Sequence, residues 1–167
     1  IDHPSLTYQS SYPVVNLTQS TASATLSEAV SAAAADDVLE LRSDVTISGD
    51  RLTITKPLTI QGATGAEKII CGVTYNTLMV LANGNDTEYT VTFRNLVADG
   101  QNTVRDRQLF DTNNKAKMAF NDVTVINTAY SVVTGDVKCA GYGILLSGNN
   151  TFPNGIYLNS EIGRAHV

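Results

Sequence analysis

The sequence predicts an all-β chain, and within that class a right-handed parallel β-helix with an N-terminal capping α-helix. Three observations lead there. Short β-branched runs separated by Gly, Asn and Asp fill almost everything after residue 37. Two-residue breaks recur between these runs at related intervals. A single helical pattern is present, and it stands in front of the first run.

The length of 167 residues allows one domain with a sizeable core. Charged residues make up only 16% against 43% hydrophobic, so Thr, Ser and Asn must supply much of the polar surface. A net charge of −5 with scattered Lys and Arg lacks the basic excess of a nucleic-acid binder, and no nucleic-acid partner is expected. No run is apolar enough to span a bilayer. The most apolar-looking stretch, from Ala29 to Ala35, is short and Ala-rich.

Residues 1–22 read as a linker with Pro4 and Pro13, followed by a first strand around Val14-Val15-Asn16-Leu17. The triplet Asn16-Leu17-Thr18 matches a glycosylation sequon, a pattern frequent by chance. A chain that opens on Ile1 reads as a fragment or as the product of leader removal. Residues 161–167, Glu161-Ile162-Gly163-Arg164-Ala165-His166-Val167, look like a translated sequencing adapter, so the natural protein is expected to continue past Ser160. His166 accordingly receives no role, and His3 lies in the loose front segment.

The capping helix is expected within residues 23–37, with its helical pattern at 25–36. Thr25 followed three residues later by Glu28 fits a capping box. Leu26, Ala29, Val30 and Ala33 recur at helical spacing, the Ala run raises propensity, and Asp36-Asp37 stops the pattern.

The β-helix coils are expected over residues 38–160. Their strands include Val38-Leu39-Glu40-Leu41, Leu52-Thr53-Ile54-Thr55, Leu58-Thr59-Ile60, Lys68-Ile69-Ile70, Leu78-Met79-Val80-Leu81, Tyr89-Thr90-Val91-Thr92-Phe93 and Val123-Thr124-Val125-Ile126. The breaks are Lys56-Pro57, Arg94-Asn95, Asn121-Asp122 and Asn149-Asn150, one long step followed by two shorter, nearly equal ones. A second series of strands, near Leu78, Leu109, Val132 and Ile156, keeps the same rhythm. A three-sided coil would be written this way. Asn and Asp suit the bend because they tolerate left-handed backbone. Pro57 cannot take positive φ, and the long first step implies an insertion within residues 63–76. Stacked coils share a continuous core, the end of which needs a lid, and Leu26, Ala29, Val30 and Ala33 are the expected lid contacts. An ordinary β-sandwich is the weaker architecture, because two-residue hairpin turns are scarce.

Cys71 and Cys139 read as two separate buried thiols, with a disulfide as the alternative. Neither their number nor their spacing suggests a metal site.

The capped helix, the Asp36-Asp37 break, Val38-Leu39-Glu40-Leu41 and Ile54-Thr55-Lys56-Pro57-Leu58-Thr59-Ile60-Gln61-Gly62 together resemble the opening of bacterial right-handed β-helix proteins. Phe93-Arg94-Asn95-Leu96-Val97-Ala98-Asp99-Gly100 and Phe120-Asn121-Asp122-Val123-Thr124-Val125-Ile126-Asn127 look like internal coils of the same group, the pectin-lyase-like superfamily. The likeness covers roughly residues 14–159. It implies a secreted or cell-surface protein, of a group that holds polysaccharide lyases, glycoside hydrolases, pectin esterases and non-catalytic adhesins. These motifs encode coil geometry and are poor guides to activity.

The densest charged patch is Asp99, Arg105, Asp106, Arg107 and Asp111, around one inter-coil loop. It is the candidate ligand-binding site, with a solvated loop as the plainer reading. No cofactor or metal is expected. Calcium enters only if the protein is a lyase, whose carboxylates would hold it. For a glycoside hydrolase Asp99 and Asp111 are candidates by elimination. The paired-Asp and Gly-His-Gly motifs of pectin hydrolases are absent, so no catalytic residue is assigned. Gly141-Tyr142-Gly143 lacks the Lys of a phosphate loop. Tyr75, Tyr130 and Tyr142 could stack on sugars. Two functions follow: an extracellular or cell-surface module, adhesin-like or binding a polysaccharide or host glycan; or the N-terminal part of a carbohydrate-active enzyme whose catalytic coils lie beyond Ser160.

Overall fold

A computed structural model of the chain describes residues 11–73, 79–84, 86–101, 108–128, 133–136 and 143–159. Among these residues the regular structure is β-strand with one short helix, which makes the chain all-β as the sequence predicts.

The front of the chain forms β1 (Val14–Asn16), β2 (Thr21–Ser23) and the helix α1 (Leu26–Ala32). Then follow β3 (Val38–Leu41), β4 (Val45–Gly49), β5 (Leu52–Ile54), β6 (Leu58–Gly62), β7 (Lys68–Val73) and β8 (Val80–Asn83). The two long strands are β9 (Tyr89–Asp99) and β11 (Ala116–Ile126), with β10 (Phe110–Asn113) between them. β12 (Val133–Asp136), β13 (Ile144–Ser147) and β14 (Ile156–Asn159) complete the set.

These strands make two open sheets. One has the order β13-β11-β9-β6-β3-β1-β2, with β7 lying beside both β4 and β9; the other has the order β14-β12-β10-β8-β5. The smaller sheet is parallel throughout. The larger is mixed, because β1 runs antiparallel to both β2 and β3. This corrects the expectation that neighbouring strands all run in one direction. For β1 and β2 the cause is local: Asn16 Oδ1 accepts the N–H groups of Thr18 and Gln19 at 3.0 Å each, Ser20 turns through φ 57°, and so short a connection can only return antiparallel.

Beyond β3 the pairings of the larger sheet are parallel. Along β9 and β11 the register keeps one constant offset from Tyr89↔Ala116 to Asp99↔Ile126, straight through the bends at Asn95 and Asp122. Those bends are left-handed as expected, with φ of 53° and 56°. Asn95 Nδ2 donates to Gly62 O at 3.1 Å on the strand before, and Asp122 Oδ1 accepts the N–H of Asn149 at 2.8 Å on the turn after. In the smaller sheet Leu52, Val80, Phe110, Val133 and Ile156 are successive partners, so the second series of the sequence is confirmed, at or just after the expected positions.

Two of the bends differ from expectation. Leu58 pairs with Val91 and Gln61 with Arg94, so Lys56-Pro57 precedes a strand, and the counterpart of Arg94-Asn95 is Gln61-Gly62. The extra residues follow at once: Lys68 pairs with Val97, so residues 62–67 stand opposite only Asn95 and Leu96. At the last bend Asn121 pairs with Ser147 but Thr124 with Thr151, one residue more, and the positive φ falls on Gly148 at 68°.

Inward residues of both sheets merge into one core. Phe93 and Phe120, register partners, stack at 5.7 Å with 17° between their planes. Phe110, from the other sheet, meets Phe93 edge-on at 5.2 Å and Phe120 at 5.3 Å. Such ring pairs add to the stabilisation from burial alone. Cys71 is a buried thiol on β7, and Cys139 lies outside the described residues.

At the front, Thr25 Oγ1 accepts the N–H of Glu28 at 3.1 Å and starts α1. The helix stops at Ala32, earlier than the pattern suggests, because Asp37 reaches back to accept the N–H of Ala34 at 2.8 Å and Asp36 takes φ 68°. Leu26, Ala29, Val30 and Ala33 all lie in the core with Val14, Leu39 and Leu41, as expected of a lid. Leu26→Asp would place a charge where 1% of the side chain is exposed. It should cost about 4 kcal/mol or more in denaturant unfolding, and an unchanged midpoint would contradict the lid.

Candidate functional site

Of the charged loop singled out in the sequence, Arg105, Asp106 and Arg107 lie outside the described residues, as do Tyr75, Tyr130 and Tyr142. The two carboxylates that are described do not form a pair across a cleft. Asp99 ends β9 in the larger sheet and is 4% exposed. Its Oδ1 accepts the N–H of Gln101 at 2.9 Å and Nδ2 of Asn127 at 3.0 Å. Gln101 and Asn127 both have left-handed backbone, so Asp99 fastens two successive chain turns to each other. Asp111 belongs to β10 in the smaller sheet, half-buried between Leu81 and Thr134 on the strands either side. It alternates with the buried Phe110 and Thr112, so it lies on the other side of the sheet from the core.

The best-organised polar surface lies elsewhere, on the outer side of the larger sheet. Glu40, Gln61, Arg94, Asn121 and Ser147 are successive register partners on β3, β6, β9, β11 and β13. Arg42 Nε pairs with Glu40 Oε1 at 2.8 Å, Gln61 Nε2 donates to Glu40 Oε2 at 2.8 Å, and Arg94 Nε donates to Gln61 Oε1 at 2.7 Å. The bond from Arg94 uses Nε only, and the two terminal nitrogens of the guanidinium are not part of it. The row beside it runs Thr59, Thr92, Ala119 and Leu145, small side chains up to Leu145 at the edge. A line of donors and acceptors repeating at the strand spacing of roughly 4.8 Å, next to a low strip, suits an extended, hydroxyl-rich or anionic chain. The sequence hid this row, because its members fall at unequal intervals until the register is known.

A second polar corner forms where residues 62–67 are inserted. Burial opposes ionisation of Glu67, but Thr64 Oγ1 at 2.6 Å, Thr64 N at 2.8 Å and Gly65 N at 3.1 Å donate to it and together hold its carboxyl below the usual range. A Cβ at Gly62 would collide with Asn95 O, so only glycine fits this close approach. Glu67, Asp44, Ser43 and Ala66 line a shallow groove, but Glu67 and Asp44 already serve backbone N–H groups there. Among the described residues no group of three His, Cys, Asp or Glu side chains is placed to hold a metal ion. No described helix is long and apolar enough to cross a membrane.

Comparison with protein-family models, with curated proteins and with solved structures returns no match.

If Asp99 is a structural fastener, Asp99→Ala leaves the Gln101 and Asn127 donors without their acceptor and costs about 1–3 kcal/mol of unfolding free energy. A shift within about 0.5 kcal/mol, the range of ordinary surface changes, would contradict that role.

Proposed function

We propose that this chain forms a capped right-handed parallel β-helix and acts as an extracellular or cell-surface scaffold that binds glycan on its outer sheet face without chemical turnover. For the architecture, support comes from parallel register on both sheets, from the meeting of Phe93, Phe110 and Phe120 in one core, and from α1 lying on that core. Right-handedness follows from the strong chiral preference of parallel crossovers. An affiliation with the pectin-lyase-like superfamily, and with it a secreted location, rests on the sequence resemblance.

The observation that carries the function is the row Arg42–Glu40–Gln61–Arg94. It offers charged and amide groups at the repeat of the sheet, joined by hydrogen bonds that preset their geometry. By contrast Asp99 is occupied by Gln101 and by Asn127 of the next chain turn, and Glu67 by Thr64 and Gly65 of its own turn, uses that favour a scaffold over an enzyme. Polysaccharide bearing carboxylates is the favoured partner, since Arg94 and Arg42 flank the row.

Binding of the chain to an array of acidic and neutral glycans tests this. The Arg42→Ala/Arg94→Ala double variant should lose about tenfold or more in affinity. Its stability should change by about 1 kcal/mol or less for each arginine, since both arginines lie at the surface beside a partly buried Glu40. Binding that is indifferent to the double variant would remove the proposed surface. Calcium-dependent release of unsaturated uronides would replace the scaffold by the N-terminal part of a lyase.

A further inference from the structure

Asp37 looks in the sequence like a helix stop, but its carboxylate is 3% exposed and holds the front of the chain together. One oxygen, Oδ2, accepts Asn16 Nδ2 from β1 at 2.8 Å, Gln19 Nε2 from the β1–β2 turn at 2.5 Å, and the N–H of Ala34 behind α1 at 2.8 Å. The orientation of the Asn16 amide is fixed by the same network, since its Oδ1 accepts the N–H groups of Thr18 and Gln19. The main chain of Asp37 is anchored to the body of the sheet, where its carbonyl accepts the N–H of Thr59 at 3.0 Å. The carboxylate therefore lies at the junction between the cap, residues 11–36, and everything that follows.

We propose that Asp37 is an acid-released latch, whose protonation frees the cap from the core before the rest of the sheet unfolds. The three groups around Oδ2 are all donors. A protonated carboxyl brings a donor into that set and keeps only a weaker carbonyl acceptor, so the bonds to all three cap segments weaken together. The charged neighbours add to this. Lys56, on the turn before β6, donates to Ala33 O and bears electrostatically on Asp37. β1 and β2 bring no ionisable side chain. Glu28 of α1 and the adjacent Asp36 are exposed, and Glu40 of β3 is paired with Arg42. The bond from Asn16, then those from Ala34 and Gln19, hold the Asp37 carboxyl below its ordinary value against the opposing effect of burial. The latch is thus fully closed above the unfolded-state value near pH 4 and opens as pH falls through the lower folded-state value.

Hydrogen exchange of the chain, followed by mass spectrometry from pH 7 to pH 2.5 and corrected for intrinsic rates, reads the latch directly. Peptides within 11–36 should lose about tenfold or more of their protection in acid while peptides from β9 and β11 keep theirs. Asp37→Asn should loosen the cap at pH 7 and remove its pH dependence. Should that variant fail to fold, Gln19→Ala removes one donor only and should move cap release to higher pH. Glu67→Gln, at the other corner with a held carboxylate, should leave cap release where it is. Loss of protection in cap and body at the same pH, an unmoved midpoint in Gln19→Ala, or a moved one in Glu67→Gln would each overturn the proposal.

Discussion

Phe93 and Phe120 lie one above the other because β9 and β11 run parallel at a constant offset, bends included. That constraint organises most of the molecule. A parallel strand cannot be covered by its immediate neighbour in sequence, only by one that returns after a long connection. Each inward side chain therefore depends on its counterpart a full step away, as Ile60 does on Phe93 and Val80 on Phe110. The rings of Phe93, Phe110 and Phe120 tie the two sheets into the same interior.

The two ends of the larger sheet are treated differently. At the front, β1 turns antiparallel to β3 and α1 covers the apolar side, with Asp37 collecting the N–H donors of the cap. At the other end Leu146, the register partner of Phe120, is 53% exposed, and β13 is the last strand of its sheet among the described residues. Exposed strand edges with apolar side chains favour association.

Much of the fold was legible because local chemistry and long-range order agree. Thr25 and Glu28 mark the helix start, β3 falls on Val38–Leu41, and the left-handed residues at Asn95 and Asp122 sit where short Asn and Asp side chains relieve the strain. The register of the early strands was not legible. Lys56-Pro57 looks like a bend, yet the actual counterpart of Asn95 is at Gly62, and no local signal separates a short bend from the start of a longer insertion. Asp37 looks like a plain helix stop in the sequence because its partners Asn16 and Gln19 lie far earlier in the chain. The candidate site fared worse for the same reason. Asp99 and Asp111 are near in sequence but belong to different sheets, whereas Glu40, Gln61 and Arg94 are far apart in sequence and bonded in space.

Beyond β3, strands paired within each sheet run in the same direction over one core. Nuclear Overhauser contacts across β9 and β11 in the labelled chain test it most directly. Backbone contacts should appear in which both residue numbers rise together, from Tyr89 with Ala116 to Asp99 with Ile126, with ring contacts between Phe93 and Phe120. Contacts in which one number rises as the other falls would mean antiparallel hairpins and would contradict it.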